Sequence, residues 1–149
     1  NNAGYFEPGL ITEERDGALE KMMDTNLYSA YHLTRALIKN MKSAKNGHIF
    51  SICSVASLFA YPNGGSYSIS KFALLGFSKV LREELKQFGI RVTAVIAGAT
   101  YTASWERSGL SPERFMQPQD VADAILGAYS LSPQSVVEEL IIRPQLGDI

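Results

Sequence analysis

Residues 66–77 read SYSISKFALLGF, with Tyr67 and Lys71 four positions apart. On a helix, positions i and i+4 share a face, so a phenol and an ammonium can enter one cleft. An unperturbed tyrosine has a pKa of about 10, too high for efficient proton exchange at neutral pH. A lysine charge ~4 Å away is worth about 4 kcal/mol at an effective dielectric near 20. That corresponds to lowering the phenol by up to about three pKa units, which brings it into a useful range for general acid–base work. Ser54 stands upstream at the end of the apolar run HIFSIC. A hydroxyl there can hold a substrate oxygen beside the phenol. The pair alone is a weak signal, because Tyr and Lys meet on many helices by chance and a serine at a strand end commonly makes a turn.

The elements around these residues give them a frame. Residues 13–42 carry helical spacing through Leu19, Met22, Met23, Leu27, Ala30, Tyr31, Leu37 and Met41. Thr12 suits an N-cap, and Glu13 and Glu14 suit the positive end of the helix that would follow. HIFSIC reads as a short buried strand, and ASLFAYPNGG as a loop. Residues 67–88 return to helical spacing and stop at Gly89. IRVTAVIAG predicts a second strand, PQDVADAILGAYSL a third helix, and ELIIRP a third strand. This alternation predicts an α/β fold with a parallel sheet buried on both faces. Ligands bind such sheets at the carboxyl ends of the strands, which directs attention to the loops after Cys53 and Ile96.

Composition sets the outer limits. The chain has 149 residues, 46% apolar and 19% charged, enough for one domain with a real core. Fourteen basic against fifteen acidic residues give a net charge of -1, with no electrostatic footprint for nucleic acid or an anionic membrane. No run of the sequence reaches the ~18 apolar residues of a membrane span. The only cysteine, Cys53, excludes an internal disulfide, fits a reducing cytoplasmic compartment, and reads as a buried, inert thiol. His32 and His48 lack acidic or cysteine partners at metal-ligand spacing and read as structural, so no metal is expected.

Taken together, the motifs resemble the short-chain dehydrogenase/reductase family from the middle of its fold to its end. Asn2, Ala3 and Gly4, in NNAG, match the family motif after its fourth strand. Asn26, in DTNLYSAY, matches its mid-helix asparagine, and Ser54 its catalytic serine. Tyr67 and Lys71 match its Tyr-x-x-x-Lys, while Gly98 and Thr102 match the glycine and threonine after its next strand. Ala97 replaces a usual proline, Cys53 a common serine, and Ser57 a common glycine.

The resemblance implies a Rossmann-like, doubly wound parallel sheet. Only its C-terminal part is expected here, with about three strands and three to four helices. Residues 1–149 would be the catalytic and oligomerising part of one domain. The glycine-rich pyrophosphate turn of the family is not among these residues, so its cofactor-binding part is expected to be missing. It further implies hydride exchange between NAD(P) and a carbonyl/alcohol pair. Tyr67 would exchange the proton, and Lys71 would lower its pKa and bind the nicotinamide ribose. Ser54 would hold the substrate oxygen, and Asn26 would support a water relay to Lys71. Asn2, Ala3, Gly4, Gly98 and Thr102 would border the cofactor. A homodimer or homotetramer acting on a small carbonyl or alcohol is implied, the alternative being a scaffold that keeps the fold without catalysis. Trp105, Phe115 and Met116 either line the pocket or pack its loop. Leu58, Phe59 and Tyr61 border the site in relatives, and Arg107 and Arg114 read as solvated loop residues.

Overall fold

Ile90–Ala97, buried along almost all its length, is the middle strand of a parallel sheet. The computed structural model describes residues 1–103, 105 and 108–149. Its sheet is ordered β1 (Gly47–Ser54), β2 (Ile90–Ala97) and β3 (Glu139–Ile142), with both pairings parallel. Val92, Thr93, Ala94, Val95 and Ile96 are all buried. A strand covered on both faces needs that unbroken run rather than alternation. The other edge of β1 is met by the first residue of the chain. The Asn1 amino group donates to the Phe50 carbonyl at 2.9 Å, and Ile52 N–H donates to the Asn1 carbonyl at 3.0 Å. This is one step of a parallel ladder, and it lays residues 1–4 beside the carboxyl end of β1.

The first helix starts later than its periodicity suggests. α1 (Ala18–Met23) follows Gly17, whose φ of 83° needs a residue without a Cβ. Residues 10–14 instead close a tight turn, with Glu13 and Glu14 N–H both donating to the Leu10 carbonyl. Glu14 leaves the helix because its carboxylate has another task. It accepts from the backbone N–H of Ser66 at 2.8 Å and from the Ser66 hydroxyl, and so caps a different helix. A π-helical turn, Asp24–Tyr28, joins α1 to α2 (Ser29–Ala44) without a break.

α3 (Gly65–Leu85) is the helix that matters for the site, and it opens on the glycine pair Gly64 and Gly65. Its last predicted residues tighten into a 3-10 turn, Lys86–Phe88, before Gly89. The inner face of α3 places Leu74, Leu75, Leu81 and Leu85 against Cys53 and Ile49 of β1 and Ala94, Ile96, Ile90 and Val92 of β2. Fully burying a side chain of this kind is worth about 1.5–3 kcal/mol, so this contact fixes α3 to the sheet. α4 (Pro118–Tyr129) begins with a capping box between Gln117 and Asp120 and leads to β3. Among the described residues, no helix is long and apolar enough to cross a membrane.

Candidate active site

β1 delivers Ser54 to the carboxyl edge of the sheet, and α3 delivers Tyr67 and Lys71 from its first two turns. All three line one cavity of about 560 Å³. Gly98 and Thr102, from the loop after β2, line the same cavity. A Cβ on Gly98 would lie 3.0 Å from Pro144 and 3.3 Å from the Arg143 backbone, so the close approach of the segment after β3 favours glycine there. Gly4 lies next to this group: a Cβ on it would stand 3.8 Å from both Lys71 Nζ and Asn26 Oδ1. Asn2 and Ala3 are exposed and stand outside the cavity wall.

The Ser54 backbone is held by a local turn. Its N–H donates to Ser57 Oγ, and its own Oγ accepts from Ala56 N–H, both at 3.1 Å. Serine at position 57 therefore has a definite use. The Ser54 hydroxyl proton stays available toward the cavity, where it neighbours the Tyr67 phenol. Lys71 is 5% exposed, and its ammonium donates to the Ile52 carbonyl at 2.9 Å. That bond uses one of its three protons.

The electrostatics correct the lowered phenol expected from spacing alone. Burial pushes the Tyr67 phenol above its ordinary value, partly offset by hydrogen bonding to Ser54. Lys71 is itself pushed down by burial. Its Nζ sits 5.7 Å from the Tyr67 ring centroid with its bond aimed at the strand backbone. Desolvation of the phenolate outweighs an ammonium placed that way. In this arrangement Tyr67 is a protonated donor through neutral pH.

Asn26 sits in the π-helical turn and is 1% exposed. Its Nδ2 donates to the Tyr5 carbonyl at 3.0 Å and to Ser70 Oγ at 2.8 Å, while its Oδ1 accepts from Tyr5 N–H at 2.6 Å. Ser70 Oγ in turn donates to the Tyr67 carbonyl at 2.7 Å. Both amide protons of Asn26 thus go to a chain of bonds that ties residue 5 to the first turn of α3. Such π insertions are frequent at functional sites, where they re-aim one side chain.

Several wall residues escape a sequence reading. Phe6 meets the Tyr67 ring edge-on, with centroids 4.8 Å apart. Asp148 and Ile149 enter the wall from the far end of the chain. Phe6 has a faint signal, as an aromatic two residues past Gly4, whereas nothing in the sequence marks residues 148 and 149. Trp105, Phe59 and Tyr61 line the cavity, while Phe115 and Met116 are buried and pack its loop. Leu58 is half-buried and packs against the core cluster around Cys53. Burial raises the Cys53 thiol to about 11, so it remains a thiol. His32 is exposed against Tyr31, and His48 lies at the opposite end of β1 from Ser54. Arg114 bonds the carbonyls of Gly147 and Asp148, and Arg107 lies outside the described residues.

Known proteins share this arrangement of chain. The chain is similar to a sepiapterin reductase of Chlorobaculum tepidum, 35% identical over 150 residues that take in 100% of the chain and 62% of the relative. It therefore spans about three fifths of the length of that curated relative. It is similar in structure to the protein ElxO solved with NADP bound, at a TM-score of 0.86 and 27% identity, covering 96% of the chain and 64% of the other. It is also similar to a 4-hydroxyisoleucine dehydrogenase complexed with NADH, at a TM-score of 0.83 and 28% identity, covering 96% and 60%. NAD(P) is the cofactor of the group to which these belong. The profile of the short chain dehydrogenase family matches residues 1–111, and with that match this chain is placed as a member of the short chain dehydrogenase family.

Proposed function

We propose that this chain carries the catalytic site of an NAD(P)-dependent oxidoreductase that interconverts a carbonyl and an alcohol. The observation that carries the reading is the meeting of Ser54, Tyr67 and Lys71 in one cavity at the carboxyl edge of the sheet. The donor set suits the nicotinamide end of a dinucleotide. Lys71 has two protons beyond its bond to Ile52 for ribose hydroxyls, and Gly4 leaves backbone space beside it. NAD(P)H, when bound, supplies the hydride.

The residues of the chain handle the oxygen and its proton. Ser54 donates a hydrogen bond to the substrate carbonyl oxygen, which polarises the carbon. Tyr67, protonated through neutral pH, gives its proton to that oxygen as negative charge develops there. The alcohol is formed with one hydride on carbon and one proton on oxygen. Lys71 stabilises the resulting phenolate until a proton returns from solvent. In the reverse direction each transfer is inverted. Asn26 fixes the turn that aims Tyr67. Gly98 and Thr102 border the cofactor, together with Gly4 and the adjoining Asn2 and Ala3.

The cavity wall is rich in Phe6, Phe59, Tyr61 and Trp105, which favours an apolar carbonyl substrate. The chain's share of its relatives' length supports reading residues 1–149 as the catalytic and oligomerising part of a longer Rossmann-fold domain. We place that protein in the cytoplasm as a homo-oligomer. The test is carbonyl-dependent oxidation of NADH and NADPH by the purified full-length protein. Oxidation of at least one cofactor that depends on added carbonyl is expected. Binding of neither cofactor would return the chain to the reading of a non-catalytic scaffold.

A further inference from the structure

Arg114 ends the short 3-10 turn Pro112–Arg114 in the loop after β2. Its guanidinium reaches the segment after β3. Nη1 donates to the Gly147 carbonyl at 3.0 Å and Nη2 to the Asp148 carbonyl at 2.8 Å. Two consecutive carbonyls are thus held by two nitrogens of one planar fork, a geometry that lysine cannot reproduce. Arg143 adds a second grip, donating from Nε to Asp148 Oδ1 at 3.1 Å and from Nη2 to Asp148 Oδ2. The gripped segment turns sharply first: Gly147 N–H donates to the Pro144 carbonyl at 2.8 Å, with Gly147 at φ 83°. The turn delivers Asp148 and Ile149 to the wall of the cavity that holds Tyr67.

The loop that carries Arg114 is itself fixed. Met116 N–H donates to the Ala99 carbonyl at 3.1 Å, and Tyr101 N–H to the Met116 carbonyl at 2.8 Å. Phe115, next to Arg114, is buried against Trp105, with centroids 5.1 Å apart. Trp105 lines the cavity from the loop after β2, and Asp148 and Ile149 line it from the segment after β3. Arg114 joins these two walls. We propose that Arg114 is a specificity-determining positioning residue: by clasping residues 147 and 148, it fixes Asp148 and Ile149 as a wall that limits the bulk of the carbonyl substrate. This rests on the oxidoreductase reading above. Arg114 touches no reacting atom and acts only through the wall it holds.

The test uses the full-length protein with Arg114→Ala and Arg114→Lys, and two measurements. Amide hydrogen exchange over residues 145–149 needs no substrate. Loss of the clasp should speed it about tenfold or more in Arg114→Ala, with Arg114→Lys between that variant and wild type. The second measurement is the ratio of kcat/KM for a bulky diketone, phenylpropanedione, to that for a small one, diacetyl. Release of the wall should raise this ratio about fivefold or more, with kcat for diacetyl within about twofold of wild type. A simple loss of stability would lower turnover of both diketones and leave their ratio unchanged. Unchanged exchange would overturn the clasp, and faster exchange with an unchanged ratio would overturn its role in specificity. If wild type reduced neither diketone, the size limit would be overturned, the oxidoreductase reading would still rest on whether NADH or NADPH binds, and exchange would still decide the clasp.

Discussion

Tyr67 lines the cavity, with its ring edge-on to Phe6 and its backbone carbonyl tied through Ser70 to Asn26. Tyr67→Phe keeps the ring and these contacts but removes the proton donor. Turnover of the full-length protein should fall by at least ~10²-fold, with thermal unfolding within a few degrees of wild type. Activity within a few fold of wild type would take the proton step away from Tyr67. Because burial raises the phenol, carbonyl reduction should hold through neutral pH and fall only as pH rises past the phenol's elevated value. A profile already falling through neutral pH would contradict this.

His48 gives a residue-scale prediction of another kind. The Thr93 hydroxyl donates to the Val137 carbonyl at 2.6 Å, so His48 Nε2 must be the donor in its 2.7 Å contact with Thr93 Oγ1. Nδ1 is then an unprotonated, buried nitrogen without a hydrogen-bond partner among the described residues. Burial, helped by Arg91, lowers this histidine from 6.5 to about 4. The unfolded chain binds the proton first, so the contribution of His48 to stability is complete above pH 6.5 and is lost as pH falls toward 4. Melting curves of wild type and His48→Gln should diverge in slope over that interval, with the wild type losing stability more steeply. Parallel curves would count against the neutral tautomer.

At the scale of elements, the start of α3 does most to position the site. Gly65 has a φ of 38°, and a Cβ there would lie 2.5 Å from the Gly9 carbonyl oxygen and 2.0 Å from Glu14 Oε1. Gly65→Ala should therefore push away both the loop and the carboxylate that caps Ser66, destabilising the protein by about 1 kcal/mol or more. Its melting temperature should drop by several degrees, and an unchanged value would refute the clash. Asn26→Ala leaves Tyr5 N–H and Tyr5 C=O without their side-chain partner and takes one of two bonds from Ser70 Oγ, at about 1–3 kcal/mol for each group left unsatisfied. The helices and strands were legible because their apolar periods are long. The start of α1 was not, because Glu14 reads as a first-turn residue of its own helix. Its actual partner, Ser66, lies 52 positions away. The π turn was equally silent, since one extra residue leaves the apolar spacing readable as an ordinary helix. Ser54, Tyr67 and Lys71 were legible by motif and spacing. The raised phenol was not, because its cause is burial, which spacing does not report.

At the scale of the whole molecule, apolar side chains remain on the outer faces of the two long helices. Leu33 and Leu37 of α2 are 52% and 49% exposed, and Phe72 and Val80 of α3 are 45% and 56% exposed. Exposed apolar side chains on helix faces suit association, and an isologous pairing across a two-fold axis would cover both copies at once. Sedimentation of the full-length protein at micromolar concentration should show a dimer or tetramer, and Val80→Glu should shift it toward the monomer. A wild type that sediments only as monomer would reject the pairing. In the proposed function, the cavity at the carboxyl edge of the sheet would hold the nicotinamide end of NAD(P), with Lys71 as its buried cationic contact. Calorimetric titration of the full-length protein with NADH and NADPH, in wild type and Lys71→Met, tests it most directly. We predict that wild type binds at least one of the two in the micromolar range, and that Lys71→Met binds it at least about tenfold more weakly while still folded. Equal binding by the two proteins, or no binding of either cofactor by wild type, would contradict the claim.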